Sequence, residues 1–146
     1  MATIKKCTAI LLVTIGFLTS CQYHDVVEVV EVDFFSQNYT VFPEDWHVGT
    51  DDESGDYFYY EFKEPNLTQY IYNNGVMQAF LQMNDGNLSP LPFNDYWYSN
   101  QSNTHSTEQV TCEFRPGFVT FILKYSHHDI TLDPYYTYKF NVRFMW

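Results

Sequence analysis

Apolar and polar residues alternate with period two along most of this chain. The clearest run closes the sequence, where Tyr136, Tyr138, Phe140, Val142, Phe144 and Trp146 interleave with Thr137, Lys139, Asn141 and Arg143. Successive side chains of a strand point to opposite faces, so this run predicts a half-buried strand with one apolar face. Phe118–Tyr125 has the same form, with Val119, Phe121, Leu123 and Tyr125 on one side and Thr120 and Lys124 on the other. Arg115-Pro116-Gly117 joins it to a strand over Glu108–Phe114, and Pro followed by Gly suits the centre of a type II turn. Earlier strands are expected at Val29–Phe35, Tyr39–Phe42, Tyr57–Phe62, Val76–Met83 and, shorter, Tyr96–Tyr98. Asp85-Gly86 marks a hairpin turn, and Ser99–Thr107 reads as a polar loop. Between Glu64 and Gly75 the period changes. Pro65 opens the segment, Leu67 and Ile71 share a helical face, and Gly75 stands at the C′ position, which predicts one helix of about two turns. The whole reads as an all-β, antiparallel, immunoglobulin-like sandwich of about seven or eight strands with one short helix. A small closed β-barrel is the alternative.

The first twenty residues break this pattern. Lys5 and Lys6 precede an almost wholly apolar run from Cys7 to Leu18, interrupted only by Thr8 and Thr14 among hydroxyl residues. That is the layout of a secretory signal, and the run is shorter than the ~20 residues a spanning helix needs. It ends in Leu18-Thr19-Ser20-Cys21. This quartet resembles the bacterial lipobox, in which a small residue before the cysteine admits the signal peptidase and the thiol takes a diacylglycerol as a thioether. Cys21 is therefore the expected lipidation site and new N-terminus. Each buried CH₂ contributes ~0.8 kcal/mol, so two or three acyl chains make a durable anchor where one would not. The expected organisation is a lipoprotein signal peptide over 1–20, the lipidated cysteine with a short tether over 21–25, and one sandwich domain over 26–146. Gln22 carries no acid at the position linked to inner-membrane retention, which favours the outer membrane.

Loss of the leader sharpens the charge. Five basic residues remain against eighteen acids, leaving the mature chain thirteen charges negative. Nucleic acid needs a basic footprint and is excluded as a partner. Anionic head groups are repelled too, so the membrane is met through lipid on Cys21. Cysteine offers no staples, because Cys7 leaves, Cys21 is acylated and only Cys112 remains. In the setting Val110-Thr111-Cys112-Glu113-Phe114 it reads as a small buried hydrophobe.

Several strings occur in order along the chain: Trp46, Tyr59-Tyr60, Pro65-Asn66-Leu67-Thr68, Asn74-Gly75-Val76 and Leu91-Pro92-Phe93. Arg115-Pro116-Gly117-Phe118-Val119 and Tyr138-Lys139-Phe140-Asn141-Val142 complete it. In these the chain resembles the short, β-rich, uncharacterised lipoproteins of Gram-negative gut anaerobes. The resemblance implies fold and cell-envelope location. Its motifs are turn and core residues, and it implies no activity or catalytic residue.

Motifs for chemistry are few. Asp51-Asp52-Glu53-Ser54-Gly55-Asp56 supplies oxygens for calcium but lacks EF-hand spacing, and a solvated acidic loop is the plainer reading. His127-His128-Asp129 offers adjacent histidines that an extended chain points apart, a poor start for zinc, so no metal and no cofactor is expected. There is no Gly-x-Ser-x-Gly and no readable Cys/His pair. The real excess is aromatic: thirteen Tyr, thirteen Phe and three Trp. On Tyr57–Lys63 one face holds Tyr57, Tyr59, Glu61 and Lys63, the other Phe58, Tyr60 and Phe62. If the second face is core, Tyr57 and Tyr59 meet solvent, and Tyr96, Trp97 and Tyr98 add a second cluster. Rings beside carboxylates and amides suit a glycan, although tyrosine also simply makes good strands. The expectation is a non-enzymatic envelope lipoprotein acting as a protein-interaction or structural component. A glycan-binding module using Tyr57, Tyr59, Tyr96, Trp97 and Tyr98 is the alternative, and a hydrolase with a carboxylate pair stands behind both.

Overall fold

Each strand buries one face because its apolar residues fall on alternate positions, and two such faces close on each other. The computed structural model describes residues 32–52, 55–99, 104–126, 134 and 136–146. The leader, Cys21, the tether and the first three residues of the strand expected at Val29–Phe35 lie outside these residues. So do Glu53 and Ser54 of the acidic loop and His127-His128-Asp129. The strands are β1 (Phe34–Val41), β2 (His47–Asp51), β3 (Gly55–Lys63), β4 (Val76–Gln82), β5 (Leu88–Pro90), β6 (Phe93–Ser99), β7 (Thr104–Arg115), β8 (Phe118–Tyr125) and β9 (Tyr138–Met145). A helix α1 (Gln69–Asn74) precedes β4, and a single 3-10 turn covers Pro43–Asp45. β1-β9-β4-β5 form one sheet and β2-β3-β8-β7-β6 the other, with every pairing antiparallel. The fold is an all-β sandwich, with no closed barrel among the described residues.

The core lies between the sheets. Val41, Val110, Val119, Phe121, Leu123, Val142 and Phe144 are fully buried. Phe121 of one sheet stacks on Phe140 of the other with centroids 3.8 Å apart and planes 8° from parallel. Trp46 packs edge-on to Tyr138, and its buried Nε1 has no hydrogen-bond partner among the described residues.

The strands depart from expectation in several places, two of them strands that alternation did not predict. Two strands expected at Val29–Phe35 and Tyr39–Phe42 are one, β1, because its full register with β9 carries the polar Ser36-Gln37-Asn38 through the middle. β2 has only weak alternation and forms as an edge strand on β3, with Val48 half exposed. β5 is three residues long and ends on Pro90, as edge strands tolerate. The polar Thr104–Thr107 belongs to β7, paired to β6, rather than to a loop. The turns hold as read: Gly86 and Gly117 take φ of 85° and 81°. Helix α1 is capped by Thr68, whose Oγ accepts from the Ile71 N–H at 3.2 Å. Gly75 ends it for another reason than the expected one. Its φ of −89° suits any residue, but a Cβ there would lie 2.8 Å from the carbonyl oxygens of Ile71 and Met145.

Candidate functional site

The register of the five-stranded sheet assigns each aromatic to a face. Phe58 is buried, and Tyr60 and Phe62 pack against the core. Tyr57, Tyr59 and Glu61 therefore face outward, as the alternation of β3 predicts. Tyr59 stands opposite Ile122 of β8, and Glu61 opposite Thr120. Thr120 is in turn opposite Glu113 of β7. The result is a shallow outer-face groove of about 250 Å³ lined by Tyr57, Tyr59, Glu61, Glu113, Arg115 and Ile122 among others.

The walls of the groove are held. Gly49 of β2 lies under the Tyr57 ring, where a Cβ would meet ring atoms at 2.6–2.8 Å. Lys124 Nζ sits 5.3 Å from the Tyr57 centroid, and Tyr57 and Tyr59 tilt 52° to each other at 6.1 Å. At the far end Arg115 donates from Nη2 to both Glu61 oxygens, at 2.8 and 2.7 Å, and from Nε to Oε2 at 3.1 Å. Its guanidinium also covers Phe118 at 3.8 Å. Thr120 Oγ1 adds a hydrogen bond to Glu61 at 3.2 Å. This ion pair is largely exposed and contributes little to stability, so its interest lies in its fixed geometry. The Glu113 carboxylate has no partner among the described residues.

Tyr96 and Tyr98 stand opposite Thr107 and His105 on this same outer face, and Tyr96 is 74% exposed. They join neither the groove nor its lining. Trp97 takes the alternate register position opposite Ser106, in series with the Phe93–Val110 and Asp95–Glu108 pairs. Tyr96 and Tyr98 of the run Tyr96-Trp97-Tyr98 thus share the outer face. In the acidic loop, Thr50 Oγ1 donates to Asp56 Oδ1 at 2.7 Å. Among the described residues no group of three or more His, Cys, Asp or Glu is arranged to hold a metal, and no helix is long and apolar enough to cross a membrane. Cys112 sits on the inner face of β7. Burial, and secondarily Glu113, pushes its thiol far above the usual range, so it packs rather than reacts.

No family model, curated protein or solved structure matches the chain.

A second cavity, of about 470 Å³, opens between the sheets at one end, against Leu81, Phe93, Asp95, Glu108, Tyr136 and Tyr138. Asp95 and Glu108 are direct cross-strand partners. Tyr138 donates its phenol proton to Glu108 Oε1 at 2.7 Å. Burial raises the Glu108 carboxyl above its usual range, the Tyr138 hydrogen bond opposes this, and Asp95 adds to the rise. Neither acid was singled out by motif. The available signal was their phase: Glu108 alternates with Val110, Cys112 and Phe114 on the apolar side of β7.

The raised carboxyl has a consequence for stability. A folded protein that holds the Glu108 proton more tightly than the unfolded chain gains stability at low pH. That gain is complete below the usual value near 4.5 and is lost as pH rises through the raised folded-state value. Glu108→Gln keeps an acceptor for Tyr138 and removes the titration. The variant is expected to be the more stable form at pH 7, with the difference shrinking towards pH 4, in urea melts across that range.

Proposed function

We propose that this chain is a lipid-anchored envelope protein whose five-stranded sheet binds carbohydrate in the Tyr57–Tyr59 groove. The observation that carries the reading is the juxtaposition of two outward rings with a fixed Glu61–Arg115 pair and the unpartnered Glu113. A pyranose presents C–H groups on its faces and hydroxyls around its rim. The tyrosine rings stack on the faces, while carboxylate and guanidinium bind the hydroxyls. A flat protein-docking surface would not need this mixture. The reading takes no catalytic step. It rests on the lipobox-like Leu18-Thr19-Ser20-Cys21 for its anchor and on Gln22 for its outer-membrane location.

Each ring contributes on the order of 1 kcal/mol to stacking, so losing both weakens binding about thirtyfold. The test is affinity electrophoresis and tryptophan fluorescence of the full chain in detergent against a panel of polysaccharides. A saturable shift that disappears in Tyr57→Ala/Tyr59→Ala, with an unchanged melting curve, is the expected result. Silence across the panel overturns the reading.

A protein-interaction role is favoured by one separate observation. Phe34, Met145 and Val76 are register partners across β1, β9 and β4, and all three are exposed on the outer face of the four-stranded sheet. Crosslinking in intact cells would identify such a partner if the polysaccharide panel stays silent.

A further inference from the structure

The cavity at the end of the sandwich has chemistry that the outer groove does not explain. Asp95 and Glu108 face each other across β6 and β7, and like charges directly opposite weaken a sheet. Packing alone does not ask for them. Their hydrogen bonds leave half of each carboxylate uncommitted. Asp95 Oδ1 accepts the Tyr96 N–H at 2.8 Å and Glu108 Oε1 accepts the Tyr138 hydroxyl, but Oδ2 and Oε2 have no partner among the described residues.

Among the described residues nothing in the lining supplies a counter-charge. The chain's described basic residues are Lys63, Arg115, Lys124, Lys139 and Arg143. Arg115 pairs with Glu61, Lys124 covers Tyr57 and Arg143 covers Phe80, all on outer faces. Lys63 and Lys139 are exposed on outer faces as well. No basic side chain among the described residues lines the cavity.

We infer that this end cavity is a binding site for the ammonium group of a small organic amine, held between Asp95 and Glu108. The remaining lining fits that guest. Phe93 and Tyr136 offer rings at the walls, and Tyr136 is 71% exposed and therefore accessible. Cations are attracted to ring faces, and an alkyl stem finds Leu81 and Met83. The amides of Gln82 and Asn84 add acceptors for further N–H groups. A hard metal ion is served less well, since among the described residues no third acid joins this pair in a group arranged to hold a metal. The volume of about 470 Å³ lies within the range of small-molecule pockets.

The test is calorimetric titration of the full chain in detergent with putrescine, and with butanediol as its uncharged match. Saturable one-to-one binding of putrescine and none of butanediol is expected. Asp95→Asn and Glu108→Gln should each weaken it about tenfold or more. Glu113→Gln, an outer-face acid, and Tyr57→Ala/Tyr59→Ala should leave it unchanged. Melting curves establish that each variant folds. Absence of saturable binding overturns the inference. So does equal weakening by Glu113→Gln, which would mean diffuse attraction to an acidic surface. Stoichiometric calcium binding that displaces putrescine would make this a metal site instead and also overturn it.

Discussion

Replacing Phe140 by alanine is expected to lower the unfolding free energy by about 4 kcal/mol, the range for deleting a buried aromatic. Phe140 is 1% exposed and belongs to β9, the strand that pairs with both β1 and β4. Its ring stacks on Phe121 at 3.8 Å and on Tyr138 at 6.2 Å, so it touches both sheets. Truncation leaves a ring-sized void between the two layers. The flanking rings belong to paired strands and cannot collapse into it without shifting the ladder. Phe140→Leu, which refills much of the volume, should cost about 1.5 kcal/mol. Guanidinium melts of the three proteins check this. A loss below about 1.5 kcal/mol for Phe140→Ala would mean that the layers are not closed around this ring.

Glu64→Ala is expected to cost about 3 kcal/mol, although no apolar contact is lost. Glu64 is only 4% exposed, at the exit of β3. Its Oε2 accepts from the Tyr39 hydroxyl. Its Oε1 accepts from the Asn66 N–H at 3.0 Å and from Asn66 Nδ2 at 2.8 Å. The backbone is tied in at the same place: the Glu64 N–H donates to the Gly117 carbonyl at 2.8 Å, and the Gly117 N–H to the Leu67 carbonyl at 2.7 Å. Through its carboxylate and its backbone N–H, this one residue thus joins β1, the loop before α1 and the β7–β8 turn. Burial, then the bond to Glu64, pushes the Tyr39 phenol far above its usual range, so the phenol keeps its proton and remains a donor. Removing Glu64 strands a buried hydroxyl and frees the loop. Tyr39→Phe removes only one bond and should cost about 1.5 kcal/mol. The double variant should cost less than the sum of the singles, because the two residues share one interaction. Strict additivity in urea melts would contradict the described link.

The candidate sites divide on the same physical line. Tyr57 and Tyr59 could be placed outside from β3 alone, since Phe58, Tyr60 and Phe62 claim the core. That Glu61, Arg115 and Glu113 join them could not. Arg115 lies 54 positions from Glu61 along the chain, and only the register of β3, β8 and β7 brings them together. Asp95 and Glu108 were hidden for a related reason: an acid at an apolar phase is visible in one strand, but its opposite number is set by the length of the β6–β7 connection.

Alternation by itself determined that this chain forms strands, which residues of each strand are apolar-facing, where Gly86 and Gly117 turn it, and that one short helix interrupts the series. Those are local matters, decided within a few residues by side-chain phase and backbone freedom. Tertiary structure alone decided that β1 is one strand held by β9, that β2 and β5 form at sheet edges, and that Gly75 is needed for space rather than for φ. It also decided which acids face which rings and which acids face each other. The period of two says which way a side chain points. Only pairing between distant strands says what it meets there.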